Sequence, residues 1–307
     1  MPYFNRFLEA YPTVSHFAAA TEDEVLKLWQ GLGYYSRGRN MLKTAQLVQE
    51  KFKSAFPTRY EELIALKGIG EYTAAAISSF SSNQAKAVVD GNVNRVIARY
   101  FGISEPINST KGKKLFQQMA DELLNQAQPG LHNQAMMEFG ALQCKPKNPD
   151  CSVCPVKEGC LAFNQKTVNE LPVKLKTVKI KNRYFNYFLI LDKEGRVLLN
   201  KRGNNDIWAN MYDLPLIETP ELYSREQLFS LNEIGSLFGE TPLVMAEYPL
   251  QKHVLTHQHL YTRFWHVDAD DIKIKLEQAY FFTEVKNLSI LALPKIIFIF
   301  LDKFFAK

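Results

Sequence analysis

The four cysteines of this 307-residue chain fall between positions 144 and 160, spaced Cys144-x6-Cys151-x2-Cys154-x5-Cys160. Four thiolates gathered by short loops make a soft, closed donor set, suited to a 4Fe–4S cluster or to a structural zinc. Structural zinc usually draws on two matched Cys-x2-Cys-like knuckles. Here one short pair stands between unequal arms of six and five residues, so the spacing favours the cluster over zinc. Disulfides come third, because no secretory signal peptide is read and the cysteine window is not a small secreted scaffold. A reducing, cytoplasmic compartment is expected.

A second group of residues suits a phosphate. In Leu66-Lys67-Gly68-Ile69-Gly70-Glu71-Tyr72-Thr73, two glycines flank one apolar residue between two helical patterns. Glycine lets the backbone turn tightly and lets an anion approach the amides. The following helix offers it unpaired N–H groups. This is the pattern of a helix-hairpin-helix, a sequence-independent grip on a DNA backbone; the bland reading is an ordinary glycine-rich connection. A third candidate is Asp90, in Val88-Val89-Asp90-Gly91-Asn92-Val93. By itself an Asp between an apolar run and a helix reads as an N-cap.

The elements that must position these residues change character along the chain. Apolar residues recur at three and four in 23–30, 42–52, 60–66, 73–80, 93–101, 114–124 and 133–142, which predicts helices. From Phe185 the period shortens. Residues 187–191 and 197–199, around Asp192-Lys193-Glu194-Gly195, predict a β-hairpin; 259–267 predicts a further strand and 293–305 a helix. The expected architecture is therefore multidomain: an all-α domain over 1–165, a linker over 166–184, and a smaller α+β domain over 185–307. With 46% hydrophobic residues both domains can bury a core. The longest apolar run, 296–301, is closed off by Lys295 and Asp302, so no membrane span is expected. The net charge of +5 is uneven: 18 Lys/Arg against 15 Asp/Glu in 1–165, six against one in 166–184, and 13 against 16 in 185–307. A basic linker is attracted to a polyanion, although a solvated linker has the same composition.

In that order, hairpin, Val-Asp-Gly-Asn-Val and four-cysteine loop resemble the endonuclease III-like superfamily of DNA glycosylases. The stretch Leu28-Trp29-Gln30-Gly31-Leu32-Gly33-Tyr34-Tyr35-Ser36-Arg37-Gly38-Arg39-Asn40, with Asn133 to Gly140, resembles the adenine DNA glycosylase family within it. The resemblance implies an enzyme of base excision repair that hydrolyses the bond to adenine mispaired with 8-oxoguanine or guanine in double-stranded DNA. Asp90 would stabilise the oxocarbenium-like sugar, with Asn92 and Tyr72 lining the same pocket. Gly68 and Gly70 would hold the backbone. Tyr34 would wedge into the duplex beside the lesion, with Arg37 and Arg39 in contact nearby. Cys144, Cys151, Cys154 and Cys160 would carry the cluster. Relatives that also cut the strand place a lysine where this chain has Tyr72, so hydrolysis without strand cleavage is expected.

The C-terminal part resembles the Nudix-like module that this family uses to read 8-oxoguanine. Its recognition residues would be Leu255, Thr256 and His257. Thr256 stands where the family often has serine, and Leu255 where it often has an aromatic residue. No Arg-Glu-x-x-Glu-Glu box is present, which argues against diphosphate hydrolysis. His253, His257 and His259 form a weaker metal candidate without an acidic or cysteine partner. The family pattern also includes an earlier helix with a glutamate general acid, in a context like Ser-Glu-x-Met-Leu-Gln-Gln-Thr. The match here starts at Met1, and Glu9, Glu22 and Glu24 do not fit that context. Two expectations follow: a shortened form of a working enzyme, or a silent or impaired form that binds lesions. A monomer of bacterial type, acting at the nucleoid, is expected.

Overall fold

The computed structural model describes residues 2–176, 179–239, 241–268 and 280–306. It divides into two compact units, Lys43–Thr177 and a discontinuous unit of Met1–Leu42 with Val178–Lys307. These edges differ from the expected ones at 165 and 185, for two physical reasons. The basic segment is stitched to the helical unit: Leu171 is buried in its core, and the Ile107 amide donates to the Val173 carbonyl at 3.0 Å. The first 42 residues, in turn, share a core with the strands. Leu26, Trp29 and Tyr35 are buried with Phe185, Tyr187 and Phe264.

The N-terminal segment holds α1 (Pro2–Ala10), α2 (Val14–Ala18), α3 (Glu22–Leu28) and the start of α4 (Ser36–Phe52). Thr21 and Glu24 form a capping box that starts α3, as a Thr-x-x-Glu spacing should. The charged edge of α3 bonds to the strands. Asp23 accepts from Lys201 at 2.9 Å and from Tyr212 at 2.7 Å, and Glu22 from Asn210 at 2.6 Å.

The helical unit continues with α5 (Tyr60–Ile64), α6 (Glu71–Ser82), α7 (Gly91–Tyr100), α8 (Thr110–Leu123), α9 (Pro129–Leu142) and α10 (Leu161–Asn164). Val93, Ile97, Phe116 and Ala162 are at its centre. Helices α7 and α9 touch at Gly140, where a Cβ would sit 2.7 Å from the Asn92 Cβ and 2.9 Å from its carbonyl oxygen. Only glycine permits that approach. Asn133, buried in α9, accepts from the Val88 amide and donates to the Lys86 carbonyl, which fixes the extended segment leading to Asp90.

In the other unit, β1 (Lys181–Ile190) is followed by β2 (Val197–Lys201), β3 (Tyr212–Asp213), β4 (Leu216–Thr219), α11 (Arg225–Phe229), α12 (Asn232–Phe238), β5 (Leu243–Glu247), β6 (Gln251–Val254), β7 (Gln258–Asp268), β8 (Tyr280–Thr283) and α13 (Lys295–Phe305), with a 3-10 turn at Val285–Ser289. Among the described residues one sheet runs β4-β1-β7-β5, with β6 also on β7, and the other runs β3-β2-β8. The expected hairpin of β1 with β2 is corrected here. The turn forms, but only Leu191 bridges Val197 before the strands part into different sheets. The reason is burial on both faces. Tyr187, Leu189 and Val197 point into the core between the sheets, while Phe188, Ile190 and Leu198 pack with Ile234 and Phe238 of α12. Helix α13 adds Ile297, Phe300 and Leu301 to the first of these cores.

Candidate nucleic-acid interface and catalytic site

In the helical unit, Gly68 adopts φ +83°, a left-handed conformation that favours glycine. The Thr44 hydroxyl donates to the Lys67 carbonyl and ties the turn to α4. Gly70 caps α6 without any side-chain hydrogen bond, and a Cβ there would meet nothing within 4 Å. The first amides of α6 therefore carry no side-chain cap, which leaves them available to an anion at the helix N-terminus.

One helix later the arrangement is reversed, because a carboxylate already occupies the amides. Asp90 caps α7: its Oδ1 accepts from the Asn92 and Val93 amides at 2.8 and 2.7 Å. Its Oδ2 accepts from the Asn92 side-chain amide at 2.8 Å. The cap and a fixed anion are thus one geometry. Arg95, 7% exposed, continues the chain of bonds. It donates to Asn92 Oδ1 at 2.8 Å, to the Gly140 carbonyl at 2.6 Å and to the Cys144 carbonyl at 2.7 Å. Asp90 is thereby linked through Asn92 and Arg95 to the first cysteine. Tyr72, 47% exposed with its hydroxyl 3.9 Å from Met137 Sδ, lines a cavity of about 300 Å³ with Val89, Asn94 and Lys113; Val89 precedes Asp90 in the chain, and the Asn94 amide donates to the Asp90 carbonyl at 3.0 Å.

Cys144, Cys151, Cys154 and Cys160 line one cavity with Arg99, Phe139 and Phe163. None is in a disulfide. Burial and then the neighbouring thiols of Cys144, Cys154 and Cys160 push the Cys151 thiol up. Arg99 supports the loop, donating to the Lys145 and Pro146 carbonyls at 2.7 and 3.1 Å and to Cys144 Sγ at 3.4 Å. Soft donors around a shared space, beside a buried cation, fit an anionic thiolate cluster. Among the described residues no group of three or more His, Cys, Asp or Glu converges as a single metal ion needs, and this includes His253, His257 and His259.

In the unit of Met1–Leu42 with Val178–Lys307, the candidate recognition residues from both stretches line one cleft of about 480 Å³. Leu255, Thr256 and His257 form the turn between β6 and β7, closed by the Leu255 amide on the Gln258 carbonyl at 2.8 Å. Tyr34 stands across the cleft, 63% exposed, and its hydroxyl is 2.6 Å from that of Thr256. Contacts from Trp29 and Arg37 support the loop bearing Tyr34. Trp29 Nε1 donates to the Gly33 carbonyl at 2.9 Å, and the Arg37 guanidinium lies 5.3 Å from the Tyr34 ring and 5.6 Å from that of Trp29. Arg39 donates to the Ala209 carbonyl at 3.0 Å, so one edge of it is already engaged. Trp208 and His253 face each other with ring centroids 6.0 Å apart. Burial, then the charge of Lys295, pulls the His253 pKa down, which favours its neutral form.

Residues 1–126 match the family model of the HhH-GPD superfamily base excision DNA repair protein, and residues 186–303 match that of the NUDIX domain. An adenine DNA glycosylase of Buchnera aphidicola subsp. Baizongia pistaciae is 35% identical over 261 residues, covering 85% of this chain and 72% of that protein. The chain belongs to the adenine DNA glycosylase family. Members are DNA N-glycosylases of base excision repair, and this chain has their helix-hairpin-helix and Nudix-like parts. The human adenine DNA glycosylase is 43% identical over 161 residues, 52% of this chain and 30% of that protein. A solved structure of a thermostable thymine-DNA glycosylase is 25% identical, covers 53% of this chain and 76% of its own, and superposes with a TM-score of 0.49.

Against that family background, the structure brings Asp90 to Asn92 and Tyr34 to Thr256, and it sets Tyr72 in a cavity walled in part by Val89 and Asn94, on either side of Asp90 in the chain. Sequence reasoning missed Arg95 and Arg99. A signal was present: two arginines at i and i+4 in the otherwise apolar Val93-x2-Val96-Ile97-Ala98 stripe. A charge on a core face must find partners, and these two found the cysteine loop. Asp206 and Lys295 in the cleft were also missed, and no local pattern marks them.

Proposed function

We propose that this glycosylase removes adenine mispaired with 8-oxoguanine or guanine from double-stranded DNA, by hydrolysis and without cutting the strand. The observation that carries the reading is the Asp90 carboxylate, held in one orientation by three hydrogen bonds at a helix start. The bond from C1′ to adenine N9 breaks and its electron pair leaves with the base. Positive charge grows on the sugar, where a pre-oriented anion stabilises it without reorganisation. Water then supplies hydroxide to C1′ and a proton to the departing adenine. Tyr72 carries a phenol at the position of the strand-cutting relatives' lysine, and a phenol forms no Schiff base.

Support for reading the opposite base comes from the cleft, where a ring that could wedge into a duplex, Tyr34, is tied to a hydroxyl on the β6–β7 turn, Thr256. The uncapped first amides of α6, with the turn at Gly68 and Gly70 before them, would hold a phosphate. Cys144, Cys151, Cys154 and Cys160 would hold a 4Fe–4S cluster, which when bound cross-links a loop bearing Lys145 and Lys147 for phosphate contact. Hydrolysis moves no electrons, so the role assigned to it is structural.

The test is single-turnover adenine release from an 8-oxoguanine·adenine duplex, with cluster content read by visible absorption. Release with an intact strand supports the proposal. Strand cleavage coupled to release overturns the hydrolysis-only mechanism. Lesion-selective binding without release assigns recognition, but not catalysis, to these 307 residues.

A further inference from the structure

Asp206, Ile207 and Trp208 line the cleft, on a turn that passes through two left-handed non-glycine residues, Trp208 at φ 56° and Asn210 at φ 61°. Such a conformation persists only where the surroundings over-determine it. Asn210 is held by Glu22 and by the Arg202 carbonyl, and the start of the turn is held by Asp206. Its Oδ1 accepts from Arg183 Nη1 at 2.6 Å and from the Ile207 amide at 2.7 Å. Its Oδ2 accepts from Arg183 Nη2 and Arg202 Nη2, both at 2.8 Å.

Both arginines are anchored beneath it, and each is about nine-tenths buried. Arg183, on β1, is held from its other side by Glu218 of β4 at 2.7 and 2.6 Å. Arg202 reaches the fully buried Asp213 on β3, and its Nε donates back to the Ile207 carbonyl at 3.0 Å. One carboxylate thus fastens a strained surface turn to strands of both sheets. The turn also receives Arg39, on the Ala209 carbonyl, from the segment that carries Tyr34.

We propose that Asp206 is a positioning residue for lesion discrimination: it seats the turn on two buried arginines and so sets where Ile207 and Trp208 stand against the base opposite adenine. This rests on the reading of the cleft as the site for that base. Asp206 touches no reacting atom. Its effect passes through Trp208, which packs at 8% exposure between Phe185 and His253. An amide in its place offers one acceptor oxygen where four donors now converge, and its NH2 faces an arginine. The strained turn then has less to hold it.

The test uses the full chain with Asp206→Asn and Asp206→Glu. Three quantities are read: the ratio of affinities for duplexes with adenine opposite 8-oxoguanine and opposite guanine, the single-turnover rate of adenine release, and acrylamide quenching of Trp208, isolated by difference against Trp208→Phe. In the Asn variant the ratio falls on the order of tenfold, more than the single-turnover rate falls, because a small misplacement of a recognition wall is felt strongly. Trp208 becomes more quenchable in the same variant. The Glu variant, which keeps the charge, shows a smaller change in the ratio and in quenching. It decides the matter alone if the Asn variant does not fold. A wild-type ratio and wild-type quenching in the folded variants overturn the proposal. If the wild-type chain does not distinguish the two duplexes, the reading of the cleft fails and the proposal falls with it.

Discussion

Replacing Arg95 with methionine keeps most of the side-chain volume and removes every donor. The Cys144 carbonyl, the Gly140 carbonyl and Asn92 Oδ1 then lose partners at 2.7, 2.6 and 2.8 Å. Hydrogen bonds from a charged donor contribute roughly 1.5–3 kcal/mol each, and a buried acceptor left unpaired costs about 1–3 kcal/mol. The three do not add, since they share one guanidinium, and relief from burying the cation offsets part of the loss. A net loss of about 3 kcal/mol is expected. For a unit of this size that lowers the unfolding midpoint by roughly 10 °C. The perturbation also reads out at both ends of the chain of bonds. At the cysteine loop, cluster retention measured by visible absorption should fall. At Asp90, the Asn92 side chain loses its tether, so adenine release should slow on the order of tenfold in molecules that keep the cluster. Arg95→Lys, whose three donors sit on one nitrogen and cannot span all three acceptors, should lie between. The assay is thermal unfolding by circular dichroism, absorption spectroscopy and single-turnover release on the same preparations. A midpoint within about 2 °C of wild type, with full absorption, would refute the assignment of Arg95 as the link.

Two further predictions separate roles that overlap in the structure. Asp90→Asn keeps an N-cap of nearly equal strength, so stability should change by less than about 1 kcal/mol, while adenine release falls by orders of magnitude and duplex binding persists. A fall in stability without a fall in rate would leave Asp90 as a cap alone. The second concerns Asp213, fully buried against Arg202, whose carboxyl burial pushes up to about 6 from 3.8. The folded state therefore binds a proton that the unfolded state does not between about pH 4 and 6, and this group's contribution to stability rises as pH falls through that window. Wild type should gain about 1 kcal/mol from pH 7 to 5 relative to Asp213→Asn, by denaturant unfolding. An equal pH dependence in the two proteins contradicts the raised value.

The hairpin, the Asp90 cap and the cysteine loop were legible in the sequence because each depends on neighbours within a few residues. Gly68 must turn left-handed, Asp90 must meet the amides two and three positions on, and four thiols in a 17-residue window must lie near one another. The helices with clear three-and-four spacing were legible for the same reason. The partnership of β1 and β2 was not. A turn between apolar runs reads as a hairpin, but strands apolar on both faces need covers on both, and they part into two sheets.

Local pattern specified the chemistry available to this chain: a carboxylate at a helix start, a glycine-flanked helix start and four soft donors. Tertiary structure alone decided which of these meet. It carried Arg95 across 49 residues to the Cys144 carbonyl and set Tyr34 against Thr256 across 222. It also placed the first 42 residues on the strand-bearing unit instead of the helical one. The physical reason is that buried charges and apolar faces have no preferred partner in sequence. They are satisfied wherever packing brings a complementary group, and packing is a property of the whole fold.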